Sequence, residues 1–224
     1  MGLPLAGLFL YQNMKKAIFY IDGFNFYYGL KEKSEKFPEW KSYYWIDLVK
    51  FCSRFLPDET ELIAVKYFTS PPRNGEKRSR QATYFRANSL INGEKFLVIN
   101  GSYLLKDIDC TRCNDSFQVP EEKRTDVNIA LHVLTDCFEG NVDLVYMITA
   151  DSDQIPTMQL VKKRFPEKVL KVLFPPETNS HEIQQITKVH HLNDHEQKFK
   201  DAMMPTEVLK DGKKYTRPSE WKKR

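Results

Sequence analysis

The sequence predicts an α/β protein in which helices cover both faces of a five-stranded parallel sheet, giving a three-layer sandwich. Five short runs are rich in apolar and β-branched residues, as buried strands are. Stretches with apolar residues at helical spacing lie between these runs, and strands that alternate with helices favour a parallel sheet. No internal repeat or low-complexity segment interrupts the pattern, so the alternation extends over most of the chain.

The first half of the chain is divided by its apolar runs and by the residues that break them. Residues 17–21 form a compact apolar run, and the Asp22-Gly23 pair after it is typical of a turn. Pro57 closes a stretch with helical spacing, and Pro71-Pro72 ends the next apolar run. The expected elements are a strand over 17–21, a helix that opens at 26–30, a helix over 45–56, a strand over 61–69, a basic loop over 73–80 and a helix over 81–91.

The second half continues the alternation. Gly101 interrupts an apolar run and indicates a bend or bulge, whereas Pro175-Pro176 ends the last run. The expected elements are a strand over 95–105, a polar linker, a helix led by 120–126, a strand over 142–150, a helix over 157–165, a strand over 169–174 and a helix that starts at 179. In the helix led by 120–126, the apolar stripe expected to face the core consists of Val127, Ala130, Leu131, Leu134 and Phe138.

Length and composition are those of one globular domain with extensions. The chain has 224 residues, of which 41% are hydrophobic and 29% charged, and its net charge of +4 does not by itself indicate nucleic-acid binding. Four cysteines without a secretion signal favour a reducing compartment, and we expect a cytoplasmic protein with no membrane partner. We divide the chain into an N-terminal extension expected to be disordered (1–13), a globular domain (14–195) and a basic C-terminal extension (196–224).

Acidic residues lie where the predicted strands end and helices begin. Asp22 ends the first strand, Asp151 and Asp153 follow the fourth, and Asp126 lies near the start of the helix before it. Because parallel strands present their carboxyl ends at one edge of the sheet, these four side chains should share that edge. An all-oxygen ligand set of this kind suits Mg²⁺ or Mn²⁺, and a metal held there can activate water for hydrolysis of a phosphodiester. Asn25 would position a carboxylate or the water.

Each residue also has a plain structural interpretation. Asp22 before a glycine is a common turn residue, and Asp126, Asp151 and Asp153 suit helix N-termini. Basic residues flank the same edge and could contact phosphate, although a solvated charged surface is an equal alternative. These candidate substrate-binding residues are Lys123, Arg78, Arg80 and Arg86.

Four motifs, in this order along the chain, resemble those of the NYN domain family, in the PIN-like nuclease superfamily. They are Tyr20–Asn25, Glu121–Val127, Thr149–Pro156 and Phe174–Pro176, and the ending at 217–221 is similar to the tail of bacterial members. The resemblance covers about residues 15–195. It implies a Rossmann-like, PIN-like sheet with strand order 3-2-1-4-5. Ala150 departs from the glycine that similar sequences usually carry at that position, without removing a ligand.

The resemblance also implies metal-dependent ribonuclease activity, with Asp22, Asn25, Asp126, Asp151 and Asp153 as the catalytic site. We therefore expect an endoribonuclease that uses Mg²⁺ or Mn²⁺, acts on single-stranded or structured RNA, and could form a homodimer. Two alternatives remain open at this stage. One is a non-catalytic RNA-binding or regulatory module with the same fold. The other is a metal-dependent phosphohydrolase that acts on DNA or on small phosphate esters.

Two lesser signals complete the predictions. Cys110 and Cys113 have the spacing of half a zinc site, and a turn with two free thiols is the stronger interpretation because no second pair follows nearby. Two aromatic clusters, Tyr27-Tyr28 and 43–45, are expected to pack against the core rather than to stack on nucleic-acid bases.

Overall fold

A computed structural model of the protein describes residues 14–109 and 116–222. The strands are β1 (Lys15–Asp22), β2 (Thr60–Thr69), β3 (Phe96–Asn100), β4 (Ser102–Asp109), β5 (Ser116–Lys123), β6 (Leu144–Ile148), β7 (Val169–Phe174), β8 (Val189–His191), β9 (Glu207–Lys210) and β10 (Lys213–Thr216). The α-helices are α1 (Gly23–Lys36), α2 (Leu48–Ser53), α3 (Gly75–Asn92), α4 (Thr125–Phe138), α5 (Ile155–Arg164), α6 (His181–Ile186) and α7 (Glu196–Asp201). Short 3₁₀ helices cover Pro38–Tyr44, Gly93–Lys95, Ser152–Gln154, Leu192–His195 and Ser219–Trp221.

The main sheet has six strands in the order β3-β2-β1-β6-β7-β8, and all five pairings between neighbours are parallel. This is a Rossmann-like α/β architecture, as predicted. The expected number of five strands is wrong by one, because β8 adds a sixth strand beside β7. A strand of only three residues, Val189–His191, is too short to produce an apolar run that the sequence would reveal.

The third predicted strand divides at Gly101. Its first part is β3, at the edge of the main sheet, whereas β4 leaves that sheet and pairs with β5 as a separate antiparallel hairpin. The backbone N–H of Gly101 donates to the carbonyl of Thr69, which attaches the point of departure to the end of β2. The expected single strand over 95–105 and the polar linker after it are therefore both wrong. Cys110 and Cys113, with their possible zinc site, lie outside the described residues.

Helices cover both faces of the sheet. Successive side chains of β1 point to opposite faces and are apolar on both, so each face needs a layer of helices to bury it. On one face, Phe19 lies in a buried cluster with Phe26 of α1 and Phe51 of α2. On the other, Tyr20 lies in a second buried cluster with Ile129 of α4. All side chains from Ala17 to Ile21 are almost completely buried, so β1 runs through the centre of the core.

Helix α4 packs on the sheet through a different face from the predicted one. Ile129, Val133 and Cys137 are buried at i, i+4 and i+8, and Leu134 is partly buried beside them. Three members of the predicted stripe face outward instead: Val127 is 61% exposed, Leu131 58% and Phe138 84%. Apolar residues occur on both sides of this helix. Its rotation is therefore set by tertiary contacts, including the buried Asp136, rather than by apolar spacing alone.

Two other predictions need correction. The expected basic loop over 73–80 is mostly helical, because Asn74 caps α3 by accepting a hydrogen bond from the backbone N–H of Lys77 at 3.0 Å. The helix expected over 45–56 is limited to α2. Asp47 caps α2 and accepts from the backbone N–H of Lys50 at 3.0 Å.

The segment that follows residue 195 packs against the α1 side of the domain. Phe199 of α7 is fully buried, and the indole N–H of Trp45 donates to the carbonyl of Pro205 at 2.7 Å. Strands β9 and β10 form a second hairpin, and Trp221 packs on Tyr44 and Trp45. Among the described residues, no helix combines the length and the apolar character needed to cross a membrane.

Candidate metal centre

Three aspartates from separate segments converge at the carboxyl edge of the sheet. Asp22 is the last residue of β1, Asp126 lies in the first turn of α4, and Asp151 follows β6. One carboxylate oxygen from each lies within 4.8 Å of the other two. Strands β1 and β6 are hydrogen-bonded neighbours, so their ends bring Asp22 and Asp151 together although 129 positions separate them in the sequence.

Asp22 is held rigidly and is almost fully buried. Its Oδ1 accepts hydrogen bonds from the backbone N–H groups of Phe24 and Asn25, both at 3.1 Å, and so caps α1. Its Oδ2 accepts from the hydroxyl of Thr149 at 3.0 Å. Burial raises the pKa of Asp22 from 3.8 to about 6, and the charges of Asp126 and Asp151 add to the increase, although the hydrogen bonds oppose it. The protein therefore keeps a carboxylate where its charge is unfavourable.

Thr149 joins two of the three carboxylate segments. It is 1% exposed; its hydroxyl donates to Asp22, and its oxygen accepts from the backbone N–H of Asp151 at 3.0 Å. Asp151 in turn caps the 3₁₀ helix that follows, since its Oδ1 accepts from the backbone N–H of Asp153 at 2.9 Å. Both aspartates are thus oriented by hydrogen bonds that leave further carboxylate lone pairs for a ligand.

Asp126 is positioned by the turn before α4 and by a buried glutamine. Arg124, immediately before the helix, has φ of 80°, a left-handed conformation that costs a non-glycine residue about 1 kcal/mol or more. The side-chain amide of Gln154 donates to the carbonyl of Asp126 at 3.2 Å and is 3.4 Å from its Oδ1. Gln154 is 1% exposed, so this contact is shielded from water.

The other two predicted catalytic residues, Asn25 and Asp153, do not belong to the group of three carboxylates. Asn25 lies beside the group, where its Oδ1 accepts from the backbone N–H of Ala150 at 3.2 Å and connects α1 to the loop that carries Asp151. Asp153 is exposed and lies outside the group of three ligand oxygens. Its backbone, rather than its carboxylate, contacts Asp151.

The four candidate substrate-binding residues are spread around the edge. Lys123 is the exposed last residue of β5, directly before the α4 turn. Arg78 and Arg80 lie in the first two turns of α3; Arg78 donates to the carbonyl of Pro72 at 2.8 Å, and Arg80 to Glu220 at 2.8 Å. Arg86 is exposed but lies six residues beyond Arg80, about 9 Å farther down the helix from the edge.

The ligand set fits a single hard divalent cation. Six oxygens around Mg²⁺ at about 2.0–2.1 Å are about 3 Å apart when adjacent and about 4 Å apart when opposite. Carboxylate oxygens within 4.8 Å of one another can therefore contact one ion after small side-chain adjustments. Three negative charges on a partly buried edge would also be strongly repulsive without a cation.

Two residues that organise the site have no role in the sequence-based prediction. Thr149 and Gln154 are buried polar side chains that orient Asp22 and Asp126. Both flank the Asp151-Ser152-Asp153 segment, so a search for polar residues next to that segment would have found them. Their hydrogen-bond partners come from other elements and are visible only in the fold.

Comparisons with known proteins show the fold more clearly than the activity. No family model matches the chain. It is 29% identical over 177 residues to the 6-hydroxy-3-succinoylpyridine 3-monooxygenase HspA of Pseudomonas putida (strain DSM 28022 / S16); the match covers 64% of this chain and 54% of that protein. The chain thus spans about half the length of this curated relative. A crystal structure of a Vibrio parahaemolyticus RIMD 2210633 protein of unknown function superposes with a TM-score of 0.54 at 17% identity, over 81% of this chain and 95% of the other.

Proposed function

We propose that this protein is a metal-dependent ribonuclease that hydrolyses RNA phosphodiester bonds at the carboxyl edge of its sheet. The observation that carries the proposal is the convergence of Asp22, Asp126 and Asp151, with one oxygen of each within 4.8 Å of the others. These side chains would hold Mg²⁺ or Mn²⁺, because both ions prefer carboxylate oxygen ligands. The resemblance of the surrounding motifs to NYN domains supports a nuclease rather than another metal-dependent activity.

The bound metal would supply an activated water and would stabilise the charge that develops on the attacked phosphate. The protein's own residues would supply position. Thr149 keeps Oδ2 of Asp22 in place, and Gln154 keeps Asp126 facing the same point. Asn25 holds the Asp151 loop against α1, so the ligand oxygens stay close together while the in-line displacement occurs at phosphorus. The carboxylate of Asp153 is exposed and lies outside the group of three ligand oxygens, so this residue would contribute through its backbone contact with Asp151.

The experiment is a cleavage assay with matched variants. Purified protein is incubated with end-labelled RNA or DNA in Mn²⁺, Mg²⁺ or EDTA, alongside Asp151→Asn and Asp153→Asn. We expect RNA cleavage in either metal, none in EDTA, and a loss of about a hundredfold or more in Asp151→Asn, because a ligand is removed. Asp153→Asn removes the same charge two positions away and should retain much more activity.

The outcomes separate the candidate activities. Cleavage by Asp151→Asn at the wild-type rate would contradict the carboxylate site. RNA binding without cleavage by the wild-type protein would favour a regulatory module, and equal cleavage of DNA would favour a less selective phosphohydrolase.

A second candidate follows from the 29% identity to the Pseudomonas putida enzyme, whose name describes it as a monooxygenase for 6-hydroxy-3-succinoylpyridine. Such a reaction needs oxygen and a two-electron reductant in addition to the aromatic substrate. The same protein preparation should be incubated with that pyridine, oxygen and a reduced nicotinamide. Substrate loss that persists in Asp151→Asn would favour this oxygenase activity, carried by a different site.

A further inference from the structure

Two tyrosines on α1 are exposed close to the carboxylates. Tyr27 is 38% exposed and Tyr28 58%, although the sequence predicts that they pack against the core. Their ring centroids are 5.3 Å apart, and the rings meet at 73°. Adjacent exposed aromatic rings are uncommon on a solvated helix, where polar side chains normally predominate.

The tyrosines lie within reach of the candidate metal centre. Helix α1 begins directly after Asp22, and Tyr27 and Tyr28 follow five and six residues later, about 8–9 Å along the helix axis. Buried Tyr67 fixes the start of this helix beside Asp22, because its hydroxyl donates to the carbonyl of Gly23 at 3.3 Å. A polymer chain with one phosphate at the carboxylates would therefore have a neighbouring nucleotide beside the tyrosines.

A row of aromatic rings supports the exposed pair from behind. Tyr27 packs on Tyr44 with a centroid distance of 5.6 Å, and Tyr44 packs on Trp221 at 5.7 Å. Trp221 contacts Tyr84 of α3 at 5.9 Å. Tyr27 is therefore fixed by the C-terminal 3₁₀ helix, whereas Tyr28, with more than half of its side chain exposed, presents a ring to solvent.

A cationic group lies beside the same tyrosines. Arg80 pairs with Glu220, whose neighbour Trp221 packs on Tyr44, and Tyr44 packs on Tyr27. Burial raises the pKa of Tyr27, and the charges of Lys31 and Arg80 oppose that rise. The guanidinium of Arg80 is 2.8 Å from a carboxylate oxygen of Glu220 and 3.8 Å from one of Glu76. A guanidinium that pairs with a carboxylate can also pair with a phosphate, because its planar array of N–H donors matches both groups.

We propose that Tyr27, Tyr28 and Arg80 form a binding surface for single-stranded RNA, in which bases stack on the tyrosines and Arg80 exchanges Glu220 for a backbone phosphate. The proposal rests on the ribonuclease function and specifies its substrate class. Aromatic stacking requires a base with a free face, which a single strand offers and a duplex does not. Combined aromatic rings and cations are the general means by which proteins bind single strands without sequence preference.

The test measures binding without metal, so that it does not depend on cleavage. Fluorescence anisotropy in EDTA compares a labelled single-stranded RNA with the same RNA in a duplex, for wild type, Tyr28→Ala and Tyr28→Phe. Loss of one stacked base should weaken single-strand binding about tenfold in Tyr28→Ala, whereas Tyr28→Phe, which keeps the ring, should bind like wild type. Duplex binding should not distinguish the variants. If Tyr28→Ala unfolds, Tyr28→Leu preserves apolar bulk without a π face and should show the same tenfold loss.

Two further variants test the arginine. Arg80→Gln should reduce the slope of log affinity against log salt by about 0.7, the value for one phosphate contact on a single strand. Glu220→Gln should strengthen single-strand binding by up to about fivefold, because it removes a competing surface ion pair. Phe138→Ala is the matched control: this aromatic residue is 84% exposed at the far end of α4, and its loss should leave RNA binding unchanged.

The proposed binding surface would be refuted if Tyr28→Ala bound single-stranded RNA as tightly as wild type does. It would also be refuted if the substitution weakened duplex binding as much as single-strand binding. The ribonuclease proposal fails differently. If Tyr28→Ala loses single-strand binding but wild type does not cleave RNA in Mn²⁺, the surface stands and the catalytic function does not. If wild type cleaves and Tyr28→Ala has an unchanged KM, the catalytic function stands and the surface does not.

Discussion

Asp22→Asn should stabilise the metal-free protein at neutral pH and abolish its response to metal. Asp22 is 3% exposed, and its pKa is about 6 instead of 3.8. Because the folded state holds this proton more tightly than the unfolded chain, the contribution to stability is present below pH 3.8 and is lost as the pH rises through about 6. The difference between the two pKa values, at about 1.4 kcal/mol per pH unit, corresponds to about 3 kcal/mol above pH 7.

Asparagine should relieve this penalty while keeping the local structure. Its carbonyl can accept from the same two backbone N–H groups at the start of α1, and asparagine is a favourable N-cap residue. In EDTA near pH 7.5, we expect Tm to rise by about 6–12 °C, since about 2–4 °C corresponds to 1 kcal/mol in a chain of this size. Near pH 4.5 the gain should fall to about a third, because Asp22 is then protonated in the folded wild type.

The assay is thermal unfolding followed by circular dichroism, with and without Mn²⁺. In wild type and in the control Asp153→Asn, saturating Mn²⁺ should raise Tm. At a hundredfold excess over Kd, the bound ion should increase the free energy of unfolding by about 2.7 kcal/mol. In Asp22→Asn, Mn²⁺ should have little effect, because one of three ligands is gone. A variant that unfolds at or below the wild-type Tm in EDTA near pH 7.5 would refute the reasoning, and so would an undiminished response to Mn²⁺.

Three further predictions follow from the polar and backbone contacts. Thr149→Val should weaken Mn²⁺ binding about tenfold by calorimetry, because both aspartates that it orients lose a hydrogen bond, whereas Thr149→Ser should not. Lys66→Met should cost about 3–5 kcal/mol in urea unfolding by leaving the buried Asp136 unpaired, and combining it with Asp136→Leu and Tyr20→Phe should restore most of the loss. Gly23→Ala should lower Tm, because the added Cβ would collide with a ring carbon of Tyr67 and with the backbone carbonyl oxygen of Phe68. A Tm equal to that of wild type would contradict this crowding.

The fold was predictable where burial alone decides the structure. Strand β7 has the predicted bounds, and β1 and β6 match the predicted runs to within a few residues, because strands buried on both faces are continuously apolar. Helix α4 shows the limit of this reasoning. Its outward face carries the apolar Val127 and Leu131, so apolar spacing does not show which side meets the sheet. The structure shows it through the buried Ile129 and Val133 and through the contact of Asp136 with Lys66.

The candidate site was partly predictable for a similar reason. A parallel sheet brings strand ends together, so Asp22, Asp126 and Asp151 could be grouped from sequence without knowledge of any contact. The choice between Asp151 and Asp153 could not be made this way. It depends on the 3₁₀ turn that Asp151 caps, which leaves Asp153 exposed outside the group.

A comparison of two buried aspartates, Asp22 at the end of β1 and Asp136 of α4, supports the proposal of a cation at the site. Asp136 is buried against a protein cation: the ammonium of Lys66 lies 2.6 Å away, and the hydroxyl of Tyr20 donates to the same oxygen at 2.7 Å. Asp22 is buried at least as deeply, yet the charged groups that act on it most strongly are two further carboxylates. The fold thus places a lysine beside Asp136 but two further aspartates beside Asp22. The negative charge of Asp22 is therefore left to be neutralised by an ion from solution. A proton can do so only below about pH 6, and we therefore propose that at neutral pH these three side chains accept a divalent ion.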